Sequence, residues 1–163
     1  MSKIGQVVAE ARWDSSGVRA QPVTIELGPW RFPQRPRVLI EHPDPRAGLR
    51  LATALRDAGC NVAICRGPDA AGWPATRCPL HQLDPCAAVD GADVVVTALG
   101  LERQEARQVV AGLRTRYPST PLVVEATVSE PLELAETLAG CTVVPVDSRP
   151  DRVVAAVLAA LRR

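Results

Sequence analysis

The sequence has almost no lysine, few aromatic residues and no apolar run long enough to span a bilayer. Lys3 is the only lysine among 19 basic residues, and Phe, Trp and Tyr together make up 3% of the 163 residues. With 18 acidic residues the net charge is +1, so the chain has no long-range attraction for nucleic acids or anionic membranes. Because no basic patch carries interleaved aromatic residues, we expect neither direct nucleic-acid binding nor a membrane span.

The first residues, Met1 to Ile4, lack the apolar core of a signal peptide. We therefore expect a cytoplasmic protein, and the preference for arginine over lysine suggests a bacterial genome rich in G and C. The length suits one domain with an ordinary core and is too short for two independent domains. In such a protein we expect the five cysteines to be thiols, metal ligands or redox groups more readily than to form structural disulfides.

Short apolar runs recur along the chain and predict five buried strands. The clearest run is bounded by Gly91 and Gly100 and contains three consecutive valines, and such a continuous run is typical of a strand buried on both faces. The other runs are Val38–Ile40, Asn61–Cys65, Leu122–Val124 and Val143–Val146.

Amphipathic patterns between these runs predict helices. They cover residues 46–58, 102–117, 129–139 and the segment from Pro150 onward, and Gly59 and Gly140 supply two of the stops. Because strands and helices alternate, the pattern predicts an α/β fold in which helices cover a parallel sheet.

Two stretches interrupt this alternation. Residues 1–36 form an N-terminal extension in which we expect a short helix, a strand over Pro22–Leu27 and a proline-rich linker. Residues 66–90 are so rich in proline and glycine that an ordinary crossover helix is excluded. The predicted domain is therefore 37–163, with an irregular, cysteine-containing crossover at 66–90.

The order of the predicted elements and the sequences of two predicted strands indicate a known family. Residues 38–45 read Val-Leu-Ile-Glu-His-Pro-Asp-Pro, and residues 92–98 read Ala-Asp-Val-Val-Val-Thr-Ala. With the Leu-rich first helix, these stretches resemble the first and third strands of the receiver domain of bacterial response regulators, and the resemblance covers Arg37 to Arg163. It implies a three-layer, flavodoxin-like fold with a five-stranded parallel sheet of order 2-1-3-4-5.

The residues that carry the chemistry of that family are replaced here. By the resemblance, its two metal-binding acids correspond to His42 and Pro43, its phosphoacceptor Asp to Ala98, its Ser or Thr after the fourth strand to Ala126, and its Lys after the fifth strand to Val146. Phosphoryl transfer to Asp needs a carboxylate nucleophile, a divalent cation held by acids and a cation for the new charge. The resemblance therefore implies a degenerate receiver that cannot be phosphorylated.

The irregular crossover contains a group of soft or borderline metal ligands: Cys65, Cys78, His81 and Cys86. Three thiolates and an imidazole would satisfy tetrahedral Zn²⁺ or anchor an iron–sulfur cluster. Two of the cysteines could instead form a reversible disulfide, or all three could be small buried hydrophobes. The spacing is not a standard signature, and the sequence leaves these alternatives open.

Polar side chains also gather at the predicted carboxyl ends of the strands, where open parallel sheets bind ligands. A histidine with several carboxylates at this edge could hold a cation or a small polar ligand, although loops at this edge are polar in any case. The candidate ligand-binding residues are Glu41, His42, Asp44 and Glu125, with Thr97, Thr127, Asp147 and Ser148 beside them.

Three hypotheses follow for function. The first is a non-catalytic signalling or regulatory module, independent of phosphorylation, that contacts a protein partner or forms a homodimer; in the receiver family the face made by the fourth helix, fifth strand and fifth helix often dimerises. The second is a metal or redox sensor that uses the cysteine-containing crossover, with Zn²⁺ or an iron–sulfur cluster as the cofactor. The third is a small-ligand enzyme that uses His42 and Glu125.

Overall fold

A single parallel sheet forms the middle layer of the molecule. The computed structural model describes residues 34–68, 78–127, 134–146 and 148–163, and the sheet order is β2-β1-β3-β4-β5. The strands are β1 (Arg37–Glu41), β2 (Asn61–Cys65), β3 (Val94–Thr97), β4 (Leu122–Ala126) and β5 (Thr142–Pro145). The predicted five-stranded parallel sheet and its strand order are confirmed. The predicted helix and strand of the N-terminal extension lie outside the described residues.

Helices cover both faces of this sheet. They are α1 (Pro45–Asp57), a 3-10 helix (Pro79–Gln82), α2 (Gln104–Arg116), α3 (Ala135–Leu138) and α4 (Pro150–Ala160). The helix predicted over 102–117 is thus shorter at both ends, and much of the helix predicted over 129–139 lies outside the described residues. Within the described ranges, no helix is both long enough and apolar enough to cross a membrane.

Alternation along the strands divides the core into two clusters. In β1, Val38 and Ile40 pack with residues of α1 and α4, whereas Leu39 packs with residues of α2 and the 3-10 helix. Successive side chains of a strand point to opposite faces, so the helices of each face bury every second residue. The result is the predicted three-layer arrangement, and the carboxyl ends of all five strands lie at one edge.

Local capping fixes where α1 begins at that edge. The Asp44 carboxylate oxygen Oδ1 accepts a hydrogen bond from the Arg46 amide at 2.8 Å, and Pro45 occupies the first turn, where a missing N–H costs nothing. Gly59 follows the helix with a φ of 91°, a left-handed conformation that glycine adopts without strain. These constraints hold the first turns of α1 beside the end of β1.

The irregular crossover packs on α2 through the 3-10 helix. Leu80 is fully buried in the core cluster of this face, together with Ala88 and Val89. Gly112 of α2 makes the contact possible, because a Cβ at that position would collide with the Leu80 carbonyl. The crossover therefore supplies its own apolar side chains in place of an ordinary helix.

Candidate functional site

The positions that the resemblance assigns to the receiver pocket lie along the carboxyl edge of the sheet. His42 and Pro43 follow β1, Ala98 follows β3, Ala126 ends β4 and Val146 follows β5. Backbone hydrogen bonds join them across strands: the Ala98 amide donates to the Glu41 carbonyl at 2.9 Å, and the Val146 amide donates to the Ala126 carbonyl at 3.0 Å. The fold thus brings the five positions to one edge, and no carboxylate, hydroxyl or ammonium group is among their side chains.

The sheet separates two residues that the sequence analysis grouped together. Glu41 lies in register with Cys65 of β2 and Thr97 of β3, on the face covered by α2. His42, one residue later, lines a cavity on the face covered by α1 and α4. The structure therefore places Glu41 apart from His42, because adjacent strand residues point to opposite faces. Whether Glu41, His42, Asp44 and Glu125 bind a ligand stays a prediction.

Asp44 lies neither with Glu41 nor among the described residues of the cavity that His42 lines. Its carboxylate caps α1, and the hydrogen bond from the Arg46 amide holds the pKa of Asp44 below its ordinary value. The Asp44 amide also donates to the His42 ring nitrogen Nδ1 at 3.1 Å. Because Nδ1 accepts this bond, the neutral His42 ring carries its proton on Nε2.

A cavity of about 190 Å³, which we call the edge cavity, lies between the sheet and the two helices of this face. Burial lowers the pKa of His42, nearby Asp44 opposes that change and Arg50 reinforces it, so the ring is neutral near pH 7. The Ser148 hydroxyl donates to the Pro145 carbonyl at 2.6 Å. The described residues that line the edge cavity are His42, Ala47, Arg50, Leu51, Glu125, Ser148, Pro150 and Val153.

Of the four described polar residues that line the edge cavity, sequence reasoning found His42, Glu125 and Ser148 and missed Arg50. The missing signal was helix periodicity. Ala47, Arg50 and Leu51 are three and four residues apart, so they share one face of α1, and that helix starts three residues after His42. If this face of α1 had been considered together with the strand ends, Arg50 would have been included among the candidate site residues.

On the opposite face, Glu41 is a buried and incompletely satisfied acid. It is 2% exposed and Thr97 is fully buried; neither Glu41 Oε2 nor Thr97 Oγ1 has a hydrogen-bond partner among the described residues. Burial raises the pKa of Glu41 to about 7, and the nearby Thr97 hydroxyl, although not in hydrogen-bonding geometry, lowers it in smaller part. A buried carboxyl group without good partners favours its neutral form.

Cys65, Cys78 and Cys86 pack around the core on the same face as Glu41. All five cysteines of the chain are free thiols. Burial is the main cause that raises the pKa of each of these three, to about 12 for Cys65, and the Glu41 charge would raise it further. Thiols of this kind carry little thiolate at neutral pH and react slowly.

The predicted metal-ligand set is not assembled in the structure. Among the described residues, no three His, Cys, Asp or Glu side chains are placed to hold a metal ion, although Cys65, Cys78, His81 and Cys86 all lie within those ranges. Leu80 of the 3-10 helix is fully buried beside them and fills the core beneath the crossover. Whether the protein binds Zn²⁺ or an iron–sulfur cluster stays a prediction.

Known proteins are similar to this chain in structure but not in sequence, and the similar structures show its fold. Neither a protein-family model nor a curated protein sequence matches the chain. A response regulator from Thermotoga maritima aligns with a TM-score of 0.58 and 19% identity, over 79% of this chain and 99% of that one. The chemotaxis response regulator CheY4 of Vibrio cholerae aligns with a TM-score of 0.54 and 18% identity, over 78% and 98%.

A third similar structure carries a different description. A putative pilus assembly-related protein from Burkholderia pseudomallei aligns with a TM-score of 0.60 and 17% identity, over 80% of this chain and 92% of that one. Identities this low show the fold alone. The chain therefore has the receiver-like fold that the sequence predicted, and its site must be interpreted from its own residues.

Proposed function

We propose that the chain is a receiver-like signalling module that works by protein contact, without phosphorylation and without catalysis of its own. The observation that carries this proposal is Ala98, which follows β3 at the position that the resemblance assigns to the phosphoacceptor. A methyl group cannot accept a phosphoryl group. The receiver-like fold supports a regulatory role, and we expect that role to be cytoplasmic.

The surroundings of Ala98 support the same proposal. Glu41, Thr97 and Val124 are in register across three strands, so the next row of the edge contains His42, Ala98 and Glu125. A receiver site needs clustered acids for its divalent cation, and here the end of β1 offers a half-buried imidazole and a proline. Glu125 alone is a poor site for a divalent cation, because such ions take several oxygen ligands.

Acetyl phosphate labelling tests this proposal. The full chain is incubated with acetyl phosphate and Mg²⁺, beside a receiver domain that has the complete acidic site, and intact mass is measured under conditions that preserve acyl phosphates. We expect a phosphoryl adduct on the control receiver and none on this chain.

An Ala98→Asp variant makes the test sharper. It restores a carboxylate nucleophile but neither the cation-binding acids nor the lysine, so we expect it to remain unlabelled as well. A phosphoryl adduct on the unaltered chain would overturn the proposal. An adduct on the variant alone would show that one residue separates this chain from an active receiver, and would contradict our account of the missing cation site.

A further inference from the structure

We propose that residues 28–33 of the N-terminal extension bind in a groove at the amino edge of the sheet of the same chain. The groove, which we call the amino-edge groove, consists of two adjoining cavities of about 420 and about 570 Å³ that share the turn at 119–121 and Arg163. The inference goes beyond the proposed function and does not depend on it, because Ala98 lies at the opposite edge of the sheet.

The described part of the chain begins beside this groove. Residues 34–36 line the larger cavity, so the residues just before them start next to it. Neighbouring strands lie about 4.8 Å apart, and β4 is the second strand from β1, so the two strands start about 10 Å apart. An extended chain advances about 3.3 Å per residue. Phe32 can therefore reach the start of β3, and Trp30 the start of β4.

The sequence of residues 28–33 suits an extended segment that buries its aromatic side chains. Pro29 and Pro33 disfavour a helix and favour extended backbone. The chain has three Trp, one Tyr and one Phe, and two of these five residues are Trp30 and Phe32. They are two positions apart, so their side chains point the same way in an extended backbone. Both rings can face the groove at once, and their burial favours docking.

The groove offers apolar walls for these rings. Ala92, Ala160 and Leu161 line the larger cavity, whereas Leu122 and Cys141 line the smaller one. All five pack on the two core clusters, so aromatic rings bound here would extend both clusters. At about 30 Å³ for each water molecule in the liquid, even the smaller cavity has the volume of about 14 waters, which is more than an indole ring occupies.

Arg114 favours an aromatic ring in the smaller cavity. Its Nη1 donates to the Glu136 carbonyl at 2.6 Å and to the Thr137 carbonyl at 3.2 Å, and these bonds hold the guanidinium at the cavity wall. A guanidinium is attracted to the face of an aromatic ring, most strongly to that of tryptophan. We therefore assign Trp30 to the smaller cavity and Phe32 to the larger one, in agreement with the reach of the chain.

Alkylation of Cys141 in the native full chain tests the inference, because this half-buried thiol lines the smaller cavity. The reduced protein is treated with iodoacetamide, and peptide mapping gives the rates at Cys141 and at Cys78, which lies outside the groove. We expect Trp30→Ala to raise the rate at Cys141 about tenfold, because loss of the indole uncovers the thiol. The rate at Cys78 should stay the same.

A matched variant and a dilution series assign the protection to residues 28–33 of the same chain. Trp13→Ala removes the same side chain elsewhere in the extension, and we expect it to change the rate at Cys141 by less than about twofold. Docking within one chain does not depend on protein concentration. The rate at Cys141 in the unaltered protein should therefore be constant on dilution.

Four results would overturn the inference. The first is an equal rate at Cys141 in Trp30→Ala and in the unaltered protein, and the second is an equal rise in Trp13→Ala. The third is an equal rise at Cys78, which would show that Trp30 supports the whole fold rather than covering the groove. The fourth is protection that is lost on dilution, which would place the extension of a second copy in the groove. None of these results bears on the acetyl phosphate experiment.

Discussion

At the scale of single residues, the buried carboxyl group of Glu41 is poorly compatible with a negative charge. Its pKa is about 7 in the folded protein against an ordinary value of 4.5, mainly because of burial. A folded-state pKa that is raised means that folding favours the protonated form. The contribution of Glu41 to the free energy of unfolding is therefore highest below about pH 4.5 and falls as the pH rises to about 7.

We predict that Glu41→Gln raises the free energy of unfolding above pH 7 and flattens its pH dependence between about 4.5 and 7. The gain is at most about 3 kcal/mol, because each unit of pKa shift corresponds to about 1.4 kcal/mol. The measurement is urea unfolding at a series of pH values. Glu136→Gln, at an exposed position on α3, is the control, and an unchanged pH profile in Glu41→Gln would contradict the assigned burial.

Glu41 also shows which features of the site could be predicted from the sequence and which could not. The sequence located the carboxyl ends of the strands well enough to select Glu41, His42 and Glu125 as edge residues. It then joined Glu41 and His42 in one site, although the twofold period of a strand already separates neighbours. That Glu41 is buried could not be predicted, because it depends on how the crossover and α2 pack over the sheet.

At the scale of elements, the contact between the 3-10 helix and α2 replaces an ordinary crossover helix. We predict that Gly112→Ala lowers the free energy of unfolding by about 1–3 kcal/mol, because the new Cβ collides with the Leu80 backbone carbonyl, which cannot rotate away. The alanine's better helix propensity offsets only about 0.5–1 kcal/mol of this cost. Chemical denaturation measures the change.

Thr115→Ala, at an exposed position on the same helix, is the matched control and should change stability by no more than about 0.5 kcal/mol. If Gly112→Ala were as stable as the unaltered protein, the close approach of the two elements would be wrong. Prolines and glycines in residues 66–90 predicted an irregular crossover, but the burial of Leu80 depends on Gly112, some thirty residues later, and so on tertiary packing.

The cysteines of this face belong to the same packing. We predict that the purified protein has five free thiols and that alkylation of Cys65 at pH 7 is slow, because burial raises the pKa of Cys65 to about 12. Elemental analysis, a thiol count after denaturation and peptide mapping of alkylated native protein check this. The test requires anaerobic purification without chelator.

A bound metal or cluster that is lost in Cys78→Ser but kept in Cys60→Ser would contradict the packing interpretation and restore the sensor hypothesis. Cys60 is a suitable control because it is buried in the other core cluster. The sequence could gather the cysteines into one region, but it could not decide between packing and ligation, since that depends on the relative placement of side chains that are far apart in the chain.

At the scale of the whole molecule, the exposed apolar side chains suggest how the domain meets a partner. Val143 on β5 is 40% exposed, and Val146 just after it is 43% exposed. Among the described strands, β5 pairs with β4 alone, so its other side has no strand partner within the described residues. Edge strands with exposed apolar residues favour association with another chain, and we propose a second copy of this chain as that partner.

We predict that the protein forms a homodimer and that Val143→Glu shifts it to monomer, because a carboxylate at an apolar contact must be desolvated when the contact forms. Sedimentation equilibrium over a range of concentrations measures the association. Leu49→Glu is the control: Leu49 is 55% exposed on α1, on the opposite face of the sheet from α3, and its replacement should leave the dimer intact. A monomeric unaltered protein, or a dimer equally stable in Val143→Glu, would place the partner surface away from β5.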